Sequence, residues 1–312
     1  MPIMPSPAVL RACDVLAHLG HHPSEAFSLS ELARRVGVPR ATCDSILQAL
    51  AERRLVTRRD ADLRYELGPG SIALGEAARV ANPVLRAATS EAEHLARALG
   101  SCVAVCVRDG NTARVAEVFD FGPLFALRAR VGQAIPLVPA FGAVFVAWTT
   151  DDAEGWVARA DATLEKAERD RYQRALAEVR RRGYSVSIRD TRRPELFAEA
   201  VETLASKPDS DQTHNERDAL IRTMLHSGYL AADLDGETAV RVAQISAPVF
   251  DWSGRVTMSL LVSGPEHDVT GAELRALADR LVGAATRATR SAGGRAPAKS
   301  AHDSVVAATE PT

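Results

Sequence analysis

From Leu29 to Val36 the apolar residues Leu29, Leu32, Ala33 and Val36 recur at helical spacing, which leaves Glu31, Arg34 and Arg35 on the wet face. Ser28 precedes this run and Glu31 lies three residues on, the pattern of a capping box. Gly37 suits a left-handed helix end, and Pro39 suits the first turn of a second helix, where its missing N–H is no loss. In that second helix Thr42, Ile46, Leu47 and Leu50 are expected to face inward, and Arg40, Ala41, Asp44, Ser45 and Gln48 outward. Arg53 and Arg54 close it where cations suit the helix dipole. Leu55–Thr57 and Leu63–Leu67 read as strands around a polar turn, Arg58–Asp62. Helix, glycine turn, helix and basic hairpin, in that order, predict a winged helix-turn-helix, which lays one helix in the major groove of DNA.

The periodicity changes along the rest of the chain. A first helix is expected over Pro7–Leu19, and a Gly-Pro-Gly break with a short connecting helix follows the wing. Another helix is expected over Pro83–Leu99. From Ser101 the pattern becomes strand-like in SCVAVCVRDG, NTARVAEVFDFG and LFALRARVG. An apolar helix over Pro139–Thr149 and a charged one over Ala162–Arg182 come next, then a strand at Tyr184–Ile188. Two polar helices are expected near 194–205 and 212–227. A hairpin over Ala239–Phe250 and Arg255–Ser263 and a last helix over Gly271–Arg290 complete the pattern, all around one sheet. The boundaries expected are a DNA-binding domain at 1–69, a linker helix at 70–83, a second domain at 84–290 and a disordered tail at 291–312.

Charge changes this picture little. Among residues 1–75, nine arginines face eight acids, a net of +1 and no electrostatic footprint by itself. Their placement matters more, because five of the nine lie between Arg40 and Arg59. Asp44 on the outward face repels phosphate; it can accept from a cytosine amino group or pair with Arg40. The whole chain, 312 residues with a net charge of −2, is long enough for two domains and suits a specific binder with a modest basic patch. No apolar run approaches a membrane span, and the N-terminal stretch lacks a leader pattern, so a cytoplasmic protein is expected.

Candidate chemistry is sparse. Cys102 and Cys106 fall on one strand face and read as buried structural thiols. His18, His21 and His22 read as a surface loop without the further ligands a metal would need. There is no Gly-rich phosphate loop, no G-x-S-x-G and no H-E-x-x-H, so no catalytic residue, cofactor or metal is assigned. A vestigial winged domain on an enzyme is the remoter alternative.

Three segments in order resemble the IclR family of bacterial transcriptional regulators: SLSELARRVGVPRATCDSILQALAERRLVTRRDADLRYELGPG, LRARVGQAIPLVPAFGAVFVAW and GYLAADLDGETAVRVAQISAPVFDWSGRVTMSLLVSGP. The resemblance implies an α+β two-domain chain, with a winged helix-turn-helix, a linker helix and a GAF-like α/β effector-binding domain. It further implies a homodimer or tetramer on a double-stranded DNA operator. DNA contacts would come from Arg40, Ala41, Thr42, Asp44, Ser45, Gln48, Arg58, Arg59 and Arg64. A small-molecule effector would lie against Pro139, Ala140, Phe141, Gly142, Asp233, Gln244, Leu261 and Ser263.

The departures from the family pattern sharpen these expectations. Ser45 stands where an arginine is frequent, so the operator is expected to differ. Leu261 stands where carboxylate-binding members carry a hydroxyl, which argues against a glyoxylate-like effector and for a larger or more apolar one. Two Gly-Tyr pairs, Gly183-Tyr184 and Gly228-Tyr229, bracket an expected insertion at 184–227. A regulator that works without a ligand, through protein contacts, is the alternative reading.

Overall fold

A computed structural model describes residues 6–122, 131–159, 166–189 and 239–297. The polar helices expected near 194–227, most of the expected insertion, Asp233 and the strand through 124–130 lie outside the described residues. The chain divides after Asn82 into two compact units.

The first unit begins with α1 (Pro7–His21), α2 (Leu29–Val36) and α3 (Arg40–Glu52). A small hairpin, β1 (Val56–Arg58) and β2 (Tyr65–Leu67), and helix α4 (Pro69–Ala81) follow. The expected caps are present: Ser28 and Glu31 exchange both hydrogen bonds, and Gly37 ends α2 at φ 70°. Cys43, Ile46, Leu47 and Leu50 are the buried face of α3. Thr42 is therefore not the core residue expected; it is half-exposed, and Cys43 fills the inward position one residue on. β1 starts one residue later than expected, and β2 keeps only the last three residues of the expected Leu63–Leu67. Phe27 bridges Tyr65 as a third antiparallel contact, with backbone hydrogen bonds of 3.0 and 2.7 Å. Gly68 and Gly70 sit so close to the end of α3 that a Cβ on either would meet the Arg54 carbonyl oxygen, at 2.4 and 2.8 Å. The amide of Gly70 donates to that oxygen, and the Ser71 hydroxyl to Leu55 O, both at 2.8 Å.

The second unit opens with α5 (Pro83–Leu99), which leads into β3 (Cys102–Asp109), β4 (Thr112–Asp120) and β5 (Ala134–Pro136). Helices α6 (Ala143–Val146), α7 (Thr150–Ala158) and α8 (Lys166–Arg182) precede β6 (Ser185–Ile188), β7 (Val242–Phe250) and β8 (Val256–Ser263). The last helix is α9 (Gly271–Ser291). The strands form one antiparallel sheet in the order β5-β4-β3-β8-β7-β6. Side-chain alternation splits the sheet between two cores. Val103, Val105, Ile245 and Leu260 pack against α5 and α9, whereas Ala104, Cys106, Val115 and Leu261 pack against α6, α7 and α8.

Two expectations fail here for local reasons. The helix foreseen over Pro139–Thr149 shrinks to Ala143–Val146, because Ala140 and Gly142 take left-handed φ of 76° and 72° and break the run. Residues just after α9 are not free tail: Gly294 N donates to Thr289 O and Arg295 N to Asp251 O, which ties them to the β7–β8 turn. None of the described helices is long and apolar enough to cross a membrane.

Candidate DNA-reading surface and sheet pocket

The solvent side of α3 carries Arg40, Ala41, Ser45 and Gln48 exposed, with Thr42 and Asp44 half-exposed. This surface is internally wired. Arg40 donates to the Ser30 hydroxyl on α2. The Gln48 amide donates to Asp44 Oδ2 at 3.1 Å, and Ser45 Oγ folds back on Ala41 O at 3.1 Å. Asp44 therefore pairs with Gln48 rather than with Arg40, which turns to α2.

The wing arginines differ among themselves. Arg58 lies over the Tyr65 ring, 5.7 Å from its centroid. Arg59 makes a two-pronged contact with Asp62, at 2.7 and 3.2 Å, inside the wing turn. Arg64 points back into the domain: Nη1 donates to Ala26 O at 2.8 Å and lies 3.3 Å from Glu31 Oε2. The capping hydrogen bonds from Ser28, with Arg64 nearby, hold the Glu31 carboxyl below its ordinary range.

The histidines are not a surface loop. His18 is buried, with ring centroids 4.6 Å from His22 and 4.8 Å from Phe27, and among the described residues its Nε2 has no hydrogen-bond partner. Burial, reinforced by His22, Arg35 and His21, pulls its pKa down to about 4. Cys43, Cys102 and Cys106 are buried and Cys13 exposed, and none of the four is in a disulfide. Burial pushes the Cys106 thiol up to about 12, where it holds its proton.

In the second unit a cavity of about 30 Å³ opens on the sheet face beneath α6. Of the eight residues expected there, Ala140, Gly142, Gln244 and Leu261 line it. Pro139, Phe141 and Ser263 do not, and Asp233 lies outside the described residues. What the sequence reading missed is a set of hydroxyls: Ser185 and Ser187 on β6, Ser246 on β7 and Ser259 on β8, beside Cys106. Their signal was present, because serines at alternate positions of buried strands put polar atoms on a face otherwise apolar. The register confirms the cluster, with Ser185 opposite Ser246 and Ser187 opposite Gln244. Among the described residues these hydroxyls make the lining more polar than Leu261 alone implies.

The short α6 over this cavity is held by donors to carbonyls within it and just beside it. Trp156 Nε1 donates to Phe141 O and Trp148 Nε1 to Val144 O, both at 2.7 Å. Arg180 Nε donates to Ala147 O, also at 2.7 Å. Arg108 reaches Phe145 O at 3.4 Å while gripping Asp152 at 2.6 and 3.2 Å. That grip holds the Asp152 carboxyl below its ordinary range. Side chains from β3, α7 and α8 thus supply the rigidity that a four-residue helix lacks.

A three-helix head with a hairpin wing, followed by a helix-flanked antiparallel sheet, defines a two-domain winged helix-turn-helix protein. Residues 8–60 match the model of the IclR helix-turn-helix domain. A curated relative, the HTH-type transcriptional regulator Rv1719 of Mycobacterium tuberculosis, is 34% identical over 135 residues, 41% of this chain. The match spans 49% of that relative, about half its length. Over nearly the whole chain the fold is that of solved IclR regulators. The one from Alicyclobacillus acidocaldarius is 22% identical with a TM-score of 0.67, covering 93% of this chain and 100% of the other. An IclR homologue from Microbacterium hydrocarbonoxydans, solved with 4-hydroxybenzoate, is 16% identical with a TM-score of 0.59, covering 91% and 98%.

Proposed function

We propose that this protein is a transcriptional regulator whose operator affinity changes when a small molecule enters the sheet pocket. The observation that carries the first half is the exposed face of α3 beside a basic wing, within a head of the IclR type. In this reading Arg40, Thr42, Ser45 and Gln48 read base edges and Arg58 and Arg59 meet phosphates, with Ala41 and Asp44 setting the fit. Arg64 supports the wing from within. The reading treats 1–69 as the DNA-binding domain, 70–83 as the linker and 84–290 as the sensing domain.

The second half rests on the serine-lined cavity beneath α6. Four hydroxyls and the Gln244 amide favour a small, hydrogen-bonding effector, and the described lining carries no cation for a carboxylate. The relative solved with 4-hydroxybenzoate supports a small-molecule role for this fold. Such a ligand shifts operator affinity only if it binds the DNA-competent and incompetent states unequally.

Two copies are part of the proposal. Helix α4 buries none of its residues and leaves Ile72 and Leu74 75% and 60% exposed. A second copy covering that apolar face supports a homodimer on a partly palindromic operator. Footprinting on the protein's own promoter, with wild type and Arg40→Ala, tests the reading. A specific footprint lost in the variant supports it; equal protection by both overturns the role of α3.

A further inference from the structure

A second, larger cavity shares no lining residue with the serine pocket. It occupies about 920 Å³ where β7 runs on past β6, between the end of α8, the end of α9 and residues 294–297. Among the described residues five arginines line it (Arg180, Arg181, Arg182, Arg290 and Arg295) and no carboxylate does. Three have partial internal roles: Arg180 donates to Ala147 O, Arg181 pairs with Glu178 at 2.8 Å and Arg182 donates to Tyr184 O. Arg290 and Arg295 are exposed, and among the described residues neither side chain has a hydrogen-bond or ion-pair partner. The floor is apolar and flat-sided. Trp148 and Phe250 meet edge to face with centroids 5.0 Å apart, and the Trp148 indole is fixed by its bond to Val144 O.

Such convergence of like charge is costly unless anions share it, because unpaired guanidiniums in a concave site repel one another. Guanidinium forks match phosphate and carboxylate oxygens in pairs, and an aromatic wall takes a planar body. The volume is near the upper end for small-molecule sites and exceeds what a single inorganic anion fills. We infer that this cleft binds an organic polyanion, a planar apolar body bearing two or more phosphate or carboxylate groups. The site is separate from the serine pocket and does not depend on the operator reading. Trp148 and Arg180 line the cleft and also hold α6, whose Val144 lines the serine pocket, so the two cavities share one short helix.

The test is calorimetric titration of the full chain at physiological salt with ATP in EDTA, and separately with inorganic pyrophosphate. ATP is expected to bind, and pyrophosphate, lacking the planar body, about tenfold more weakly. The double variant Arg290→Gln/Arg295→Gln is expected to lose at least about tenfold in ATP affinity without a change in Tm, because two charge-assisted contacts go. Arg97→Gln, on α5 and already paired with Glu93, is the control and is expected to bind as wild type. No ATP binding, equal binding of the two probes, or full affinity in the double variant overturns the inference. So does a double variant that keeps ATP but loses binding to random-sequence duplex DNA, which would assign these arginines to nucleic acid.

Discussion

Arg64 Nη1 lies 3.3 Å from Glu31 Oε2, and the same oxygen accepts from Ser28 N at 2.8 Å, so one carboxylate both caps α2 and anchors the wing. Wing position and helix start are thereby one device. Ser28→Ala removes the side-chain half of the cap and is expected to lower stability by about 1 kcal/mol. Arg64→Ala is expected to loosen the wing, lowering Tm slightly and operator affinity more. Thermal unfolding and band-shift titration of both variants check this. A Tm for Ser28→Ala equal to wild type counts against the cap.

Acid is expected to act on the first unit through His18. Its pKa in the fold, about 4, lies below the ordinary 6.5, so the unfolded chain binds more protons between those values. Stability therefore rises with pH across that window and is fully present above about 6.5. The loss by pH 4 is bounded at about 3 kcal/mol from the shift. Denaturant midpoints at several pH values, for wild type and His18→Leu, give the readout. The variant is expected to flatten the curve, and an equally steep one rules His18 out as the source.

Gly142→Ala is expected to disturb the serine pocket and the fold together. The position has φ 72°, and an added Cβ would come within 2.3 Å of Leu137 Cδ2, which is fully buried. Left-handed strain at a non-glycine residue costs about 1–3 kcal/mol. A clear fall in Tm is the expected result, and wild-type stability would mean that Leu137 moves aside freely.

Thiol reactivity separates Cys13 from the other three. In the native protein a thiol-exchange reagent is expected to titrate Cys13 alone at neutral pH, with Cys43, Cys102 and Cys106 reacting after denaturation. Burial raises both Cys43 and Cys106, the latter to about 12. Rapid native labelling of Cys106 would show an opening of the sheet face that the burial of this thiol does not suggest.

Asp44→Asn removes the acid from the outward face of α3. It is expected to raise affinity for all duplexes alike, while leaving the Gln48 contact replaceable by the new amide. A salt titration of random-sequence binding decides the point, and unchanged affinity would place Asp44 away from the phosphates.

The head of the protein was legible because its signals are local. A capping box, a left-handed glycine and a four-residue apolar rhythm each act within one turn of helix. The slip in the recognition helix, Thr42 for Cys43, is a rotation of a single position, and periodicity does not resolve that in a 13-residue helix. The second unit was harder because its determinants are distant in sequence. Ala140 takes a φ of 76° that alanine's own preference does not supply, next to the Phe141 carbonyl that Trp156 holds. Helix α7 was not foreseen at all: Gly155 dilutes its pattern, and its cap, Thr149 accepting from Asp152 N at 3.2 Å, lay in what was expected to be the preceding helix. The pocket serines belong to three strands whose adjacency only the folded sheet reveals.

The contact of Gly68 and Gly70 with the Arg54 carbonyl makes α3 and α4 a single stiff part. The hairpin joins them in sequence, but this direct contact bypasses it. A 13-residue helix is about 20 Å long, so a small swing at its far end, near Asn82, works as a crank handle on the recognition helix. The two glycines set how faithfully that motion is transmitted. A side chain at either would turn a rigid coupling into a loose joint, with the α3 surface chemically intact.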